Sequence, residues 1–128
     1  MKIVKGHEKR EADALMIAFH REEKGDLEGS IKAFKAASRL GSTDARSKLG
    51  TIFDDVISPP SPRKAVYWYK KGVEAGDSGC AWNLAMHHCG LGNKRWYRYW
   101  LQVALRMGDP DAPDELKTGK WWQKRNAR

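Results

Sequence analysis

The run His87-His88-Cys89 holds residue types that bind zinc, since imidazole nitrogen and thiolate sulfur are its usual protein ligands. On a helix, consecutive side chains point about 100° apart, so three in a row cannot converge on one ion. His7 and His20 are the other two histidines, and neither stands near the run in the chain; no metal site is expected. Two acidic pairs, Glu22-Glu23 and Asp54-Asp55, would suit proton transfer if a substrate group and an orienting partner faced them. Both fall at expected helix ends, where adjacent carboxylates are ordinarily solvated. Neither a nucleophile–histidine–acid set nor a phosphate-binding loop or dinucleotide fingerprint can be assembled from the sequence. The expectation is a non-catalytic chain without cofactor or metal.

Two further groups carry reactive or binding chemistry. Cys80 and Cys89 stand nine residues apart. On one helix that spacing is about 13 Å, whereas a disulfide needs Cα atoms within about 7 Å. Two buried thiols in a reducing compartment are expected. The segment Lys117-Thr118-Gly119-Lys120-Trp121-Trp122-Gln123-Lys124-Arg125 interleaves aromatic and basic residues. Such a patch can stack on bases and neutralise phosphates, or lie against an anionic membrane surface. The reading preferred here is a cap whose tryptophans cover the open end of a helical array, with Lys120, Trp121, Trp122, Lys124 and Arg125 as the alternative nucleic-acid patch.

The formal net charge of +8 has a definite location. Lys2, Lys5, Lys9 and Arg10 against Glu8 make the first ten residues basic, and residues 117–128 hold five cations and no acid. Between them 15 basic and 15 acidic side chains cancel. Nucleic-acid binding, the second functional reading, is therefore assigned to the two ends. A hydrophobic content of 41% is ordinary for a globular chain. No apolar run approaches the roughly 20 residues of a membrane span, and the N-terminal stretch lacks the apolar core of a secretion signal, so a cytoplasmic location is expected.

The elements that position these residues show themselves as a repeat. Segments 30–41, 65–76 and 97–108 superpose without gaps. Each has a bulky apolar residue at its fifth place (Phe34, Tyr69, Leu101), a small one at its eighth (Ala37, Gly72, Ala104) and a terminal glycine. Four residues beyond each glycine stand Ala45, Cys80 and Ala112, and four further on Leu49, Leu84 and Leu116. Small residues let helix backbones approach, large ones fill the groove beside them, and glycine suits the left-handed position past a helix end. Helix starts are marked by Ser42, Ser61, Asp77, Asn93 and Asp109, whose side chains can cap. Helices are predicted at about 9–24, 27–40, 43–55, 62–75, 78–90, 94–107 and 110–123, with a stiff loop at Ser58–Pro62 and no strands.

The stretch Ala45-Arg46-Ser47-Lys48-Leu49-Gly50-Thr51-Ile52-Phe53, followed after the loop by Lys64-Ala65-Val66-Tyr67-Trp68-Tyr69-Lys70-Lys71-Gly72-Val73-Glu74-Ala75-Gly76-Asp77, resembles the Sel-one-like repeats. These are relatives of the tetratricopeptide repeats, which the first unit around Gly25–Phe34 resembles more. The resemblance covers roughly residues 12–117. The loop at 54–62 lacks the family's usual glycines, Tyr97 stands where alanine is typical, and His88 where an aromatic is typical. The resemblance implies an all-α, right-handed solenoid of about three antiparallel helix pairs plus a C-terminal cap, in one domain over residues 1–128. Its units would be about 10–41, 42–76 and 77–108, with the cap at 109–128. It also implies an adaptor or inhibitor that binds another protein or peptide in its concave groove, an inference by analogy.

In such arrays the first helix of each pair lines the groove. With Ile17/Ala18, Leu49/Gly50 and Leu84/Ala85 facing inward, helical spacing turns Leu15, Met16, Phe19 and Glu22, then Ser47, Lys48, Thr51 and Asp54, then Trp82, Asn83 and Met86 toward a partner. Aromatic and methionine residues suit peptide capture, and they serve equally as packing between helices. With three full pairs, open ends also leave room for a homodimer.

Overall fold

The structure, a computed structural model, describes residues 2–127, with the side chains of residues 2–5 and 7 left aside. Over that range it is helical without strands. The helices are α1 (Lys2–Glu23), α2 (Leu27–Arg39), α3 (Thr43–Thr51), α4 (Pro62–Glu74), α5 (Ser78–Gly90), α6 (Lys94–Arg106), α7 (Ala112–Thr118) and α8 (Lys120–Asn126). No helix among the described residues is long and apolar enough to cross a membrane.

The repeat glycines end their helices identically. Gly41, Gly76 and Gly108 have φ of +104°, +91° and +89°, where a side chain would be strained. Their N–H groups donate to the carbonyls of Ser38, Val73 and Leu105 at 2.9–3.0 Å. The next N–H, on Ser42, Asp77 and Asp109, reaches back to Ala37, Gly72 and Ala104 at 2.9–3.0 Å. This pair of bonds satisfies carbonyls that a helix end leaves open. The same residue then caps the next helix. Ser42 Oγ accepts from the Ala45 N–H (3.1 Å), Asp77 Oδ1 from Gly79 (2.9 Å), and Asp109 Oδ1 from Asp111 and Ala112 (2.9 and 3.1 Å). A glycine followed by a capping residue thus turns the chain back on itself in the fewest residues. Ser61 departs from expectation: it occupies the cap position of α4 but its side chain makes no capping bond, and Pro62 at the first helical place removes one N–H in need of a partner.

Packing follows the chain order, with α1 through α7 each lying on its sequence neighbours and α8 returning to α5. Phe34, Tyr69 and Leu101 are all buried, as are Ala37, Gly72 and Ala104 and then Ala45, Cys80 and Ala112. The volumes compensate across the interface. A Cβ on Gly50 would collide with the Tyr69 ring, whereas Ala85, one repeat later, shares its cluster with the smaller Leu101. A Cβ on Gly72 would likewise strike Cys80 Sγ, so α4 and α5 approach at a glycine. The core forms two clusters, one around Phe34, Leu49, Ile52 and Tyr69 and one around Ala85, Tyr97 and Leu101. Val73 and Trp100 pack against both and join them.

Several expectations are corrected. Helix α1 starts at Lys2 rather than near residue 9, with Gly6 tolerated inside it at a cost of about 1 kcal/mol. The helix expected at 43–55 changes pitch at Thr51: Ile52–Val56 is a widened π-turn, closed by the Ile57 N–H on the Ile52 carbonyl at 3.0 Å. The helix expected at 110–123 is broken at Gly119, whose φ of +61° separates α7 from α8. Ile17 was expected to face inward with Leu49 and Leu84, yet it is 49% exposed while both leucines are fully buried. The reason is positional. Helices α3 and α5 each have a preceding helix to pack on, and α1 has none among the described residues. Leu116, expected to match the two leucines, is half-buried, because α7 is short and only α8 lies beyond it.

Candidate docking cleft

The first helices of successive pairs are tied together by side chains along one side. Glu22 Oε2 on α1 pairs with Lys48 Nζ on α3 at 3.0 Å. Asn83 Nδ2 on α5 donates to Ser47 Oγ on α3 at 3.4 Å. Just past α3, Asp54 Oδ1 in the π-turn meets His87 Nδ1 on α5 at 3.0 Å. The Thr51 hydroxyl donates to the Ser47 carbonyl (3.1 Å) and lies 3.4 Å from the Tyr69 hydroxyl. Burial pushes the Tyr69 hydroxyl up to about 12, so it remains a neutral partner for Thr51.

The widened turn has a consequence for this side. It splays Asp54 and Asp55 away from the regular helical direction and, with the Pro59–Pro62 loop, opens a cleft of about 460 Å³. Thr51, Asp54, Asp55, Tyr69, Asn83, Met86, His87, Leu91 and Arg125 line it. Its chemistry is mixed, with Met86 and Leu91 as apolar wall, Asn83 and Thr51 as neutral polar groups, and charges of both signs. Asp54 is engaged by His87, whereas Asp55 is exposed and makes no ion pair among the described residues. Arg125, arriving from α8, joins the lining beside Gly90.

The expected groove residues divide between different places. Thr51, Asn83 and Met86 come together in the cleft. Lys48 is half-buried, paired to Glu22, with its ammonium 5.9 Å from the Phe19 ring centre. Phe19 lies edge-to-face on Phe34 at 5.2 Å, so it serves the core with one side and solvent with the other. Leu15 is half-buried against the first cluster, and Met16, 70% exposed, stands on the open face of α1 beside Ile17. Trp82 does not share the cleft with Asn83 and Met86. It lines a separate depression with Pro110, Asp114, Lys120 and Trp121, one helical turn before Met86. The break at Gly119 causes this, since it lays α8 against α5 where Trp82 emerges.

The C-terminal patch is dispersed in the same way. Trp122 lies on the Tyr97 ring at 5.0 Å, with Lys94 5.8 Å from its centre. Trp121 is exposed beneath Lys124, 5.2 Å away, and shares the Trp82 depression with Lys120. Arg125 belongs to the cleft. Lys9 and Arg10 of the basic N-terminal segment are exposed; the side chains of Lys2 and Lys5, like that of His7, lie outside the described residues.

Sequence reasoning set aside His87 and Asp55 and passed over Glu115, and the structure puts all three in defined places. Glu115 is buried, and its carboxylate accepts from the Trp121 N–H (3.1 and 3.2 Å), the Trp122 N–H (3.2 Å) and the Tyr97 hydroxyl. It acts as the missing cap of α8. The i, i+6 reach from Glu115 to Trp121 spans a helix break that the sequence pattern did not announce. Cys80 and Cys89 are both free and buried on α5. Burial and the neighbouring Asp77 push the Cys80 thiol up to about 12, and burial raises Cys89 as well, so neither is a ready nucleophile. No metal-binding group of three or more candidate ligands occurs among the described residues.

No protein-family model matches the chain, and comparisons with curated proteins and with solved structures return no match.

Proposed function

We propose that the chain is a non-catalytic scaffold, a right-handed solenoid of three Sel-one-like or tetratricopeptide-like helix pairs that holds a segment of another protein in the cleft along α3 and α5. The observation that carries this reading is the row of bonds joining α1, α3 and α5: Glu22–Lys48, Ser47–Asn83 and Asp54–His87. These fix the first helices side by side, and an open, mixed-polarity cleft of about 460 Å³ lies beside α3 and α5, with α4 and α8 completing its lining. Fixed polar groups beside apolar wall suit recognition of a chain segment, since little side-chain freedom remains to be lost on binding. The His87 ring and the Thr51 hydroxyl, the groups best suited to catalysis, are already engaged by Asp54 and by Ser47 and Tyr69, which supports a structural use for them.

The charges specify the occupant. Asp55 and Arg125 both stand exposed in its lining, one acidic and one basic. A segment placing a lysine or arginine at Asp55, an apolar side chain on Met86 and Leu91, and a carboxylate toward Arg125 complements the cleft. Selection from a displayed-peptide library tests this. Peptides recovered on the wild-type protein are expected to carry a basic residue and to lose at least about tenfold in affinity for Asp55→Lys, in line with the cost of juxtaposed like charges. Recovery of no peptide, or of peptides that bind Asp55→Lys and Met86→Glu unchanged, contradicts the reading.

A further inference from the structure

The second helices of the pairs differ in charge from the first. Helix α4 carries four cations against Glu74 alone, and α6 carries four cations and no acid. The central region that is neutral when summed along the chain is therefore polarised in space, with its acids concentrated in turns, caps and first helices. Side chains bridge the two basic helices: Lys70 Nζ of α4 lies 6.0 Å from the Trp100 ring centre of α6, and Val73 and Trp100 share both core clusters.

Aromatic rings punctuate this basic face in repeat register. Tyr67 and Tyr99 occupy the third place of the second and third repeat segments, and Trp68 and Trp100 the fourth. Each tyrosine stands edge-to-face on its tryptophan, at 5.2 Å and 87° in one pair and 5.1 Å and 88° in the other. The half-buried tryptophans hold the tyrosines outward, 53% and 47% exposed. Trp96, 42% exposed, adds a third ring, edge-to-face on Tyr99 at 5.3 Å with the Arg95 guanidinium 5.9 Å from its centre. Arg95, Trp96, Arg98 and Tyr99 together line a shallow depression of about 520 Å³.

We infer that this outer face of α4 and α6 binds a single-stranded polynucleotide, its bases stacking on Tyr67, Tyr99 and Trp96 and its phosphates meeting Arg95 and Arg98. The cations call for a polyanion, and the guanidiniums match phosphate oxygens in a fork geometry. The rings select among polyanions. A chain of carboxylates offers nothing to stack on them, and a duplex keeps its base faces inside, whereas unpaired bases present a π-face at every residue. The inference does not depend on the cleft, whose lining includes none of Tyr67, Arg95, Trp96, Arg98 and Tyr99.

The test is fluorescence anisotropy of the whole protein with labelled oligo(U) and oligo(dT) of about 20 residues, beside an abasic strand of equal length with the same phosphates. Binding to the base-bearing strands, at least about tenfold weaker to the abasic one, is expected, with affinity falling steeply as salt rises. A preference between oligo(U) and oligo(dT) identifies RNA or DNA as the ligand, and either supports the inference. Tyr67→Ala with Tyr99→Ala should cost at least about tenfold, while Arg95→Gln with Arg98→Gln should reduce the salt slope by about 0.7 for each phosphate left without its cation. Unchanged helical circular dichroism shows that these exposed-site variants are folded. Equal affinity for the abasic strand overturns the inference. So does binding that survives both double variants and disappears on Lys120→Gln/Lys124→Gln/Arg125→Gln substitution, and so does binding only to vesicles of anionic lipid.

Discussion

Glu115 shows how a single carboxylate can decide a local fold. It is buried, and its oxygens receive two backbone N–H groups of α8 and the Tyr97 hydroxyl. The N–H groups belong to the first turn of a helix that has no other side-chain cap. Glu115→Ala should therefore cost about 2–3 kcal/mol in denaturant unfolding, with loss of Trp122 packing seen as a red shift of tryptophan emission. In the sequence this residue was one acid among several near Asp109, Asp111 and Asp114. Its importance arises only from the helix break, so no spacing rule pointed to it. His88 makes a complementary case. It stands where the resembled family places an aromatic, and its Nδ1 is buried without a partner among the described residues. Burial, with His87 and Lys70 nearby, holds the ring's pKa below its usual 6.5. The unfolded chain consequently takes up the proton first as pH falls. The contribution is complete above pH 6.5 and is lost below it, down through the folded value. His88→Phe, which keeps a ring beside Trp96, should raise stability at neutral pH by about 1 kcal/mol and flatten the dependence in the acid window below pH 6.5. Equal slopes for both proteins over that window would exclude His88 as the source.

At the scale of helices, the structure repeats what the residues at the turns and contacts dictate. Glycine at 41, 76 and 108 and the capping residue after it were legible, because each obeys a local rule that needs no knowledge of distant parts. The register of Phe34, Tyr69 and Leu101 was legible for the same reason. What was not legible were departures driven by context: the π-turn at Ile52–Val56, the bend at Gly119, and the exposure of Ile17. Trp82 was misplaced because a helical wheel locates a side chain on its own helix and says nothing about where α8 returns. The compensation between Gly50 and Tyr69 offers a direct test of helix approach. Gly50→Ala puts a methyl into the Tyr69 ring and should destabilise by about 1–3 kcal/mol. Adding Tyr69→Leu recreates the Ala85–Leu101 combination of the following pair, and the double variant should recover at least about 1 kcal/mol relative to additivity. Strict additivity in the double-mutant cycle would mean that the two helices do not set their separation at this contact.

For the whole molecule, two linked clusters and two unlike faces follow from one repeated register. Val73 and Trp100 are the residues through which the clusters communicate. In arrays whose units touch only their neighbours, cooperativity depends on such junctions. Trp100→Ala should therefore do more than lower stability: it should broaden the urea transition and separate the near-ultraviolet signal of the Tyr97–Trp122 end from the loss of helix. A single sharp transition at lower urea would show that the junction lies elsewhere. The charge distribution could not be read along the chain, because the acids that balance α4 and α6 in the sum stand on other elements. The cleft likewise draws on the successive helices α3, α4 and α5 and on α8, which returns from about 35 residues further along the chain. Its role is tested most directly by backbone-amide shift mapping with a library-selected peptide. The account predicts perturbations clustered at Thr51–Asp55 and Asn83–Leu91, absent in Asp55→Lys; perturbations confined to α4 and α6, or to the α7–α8 end, would contradict it.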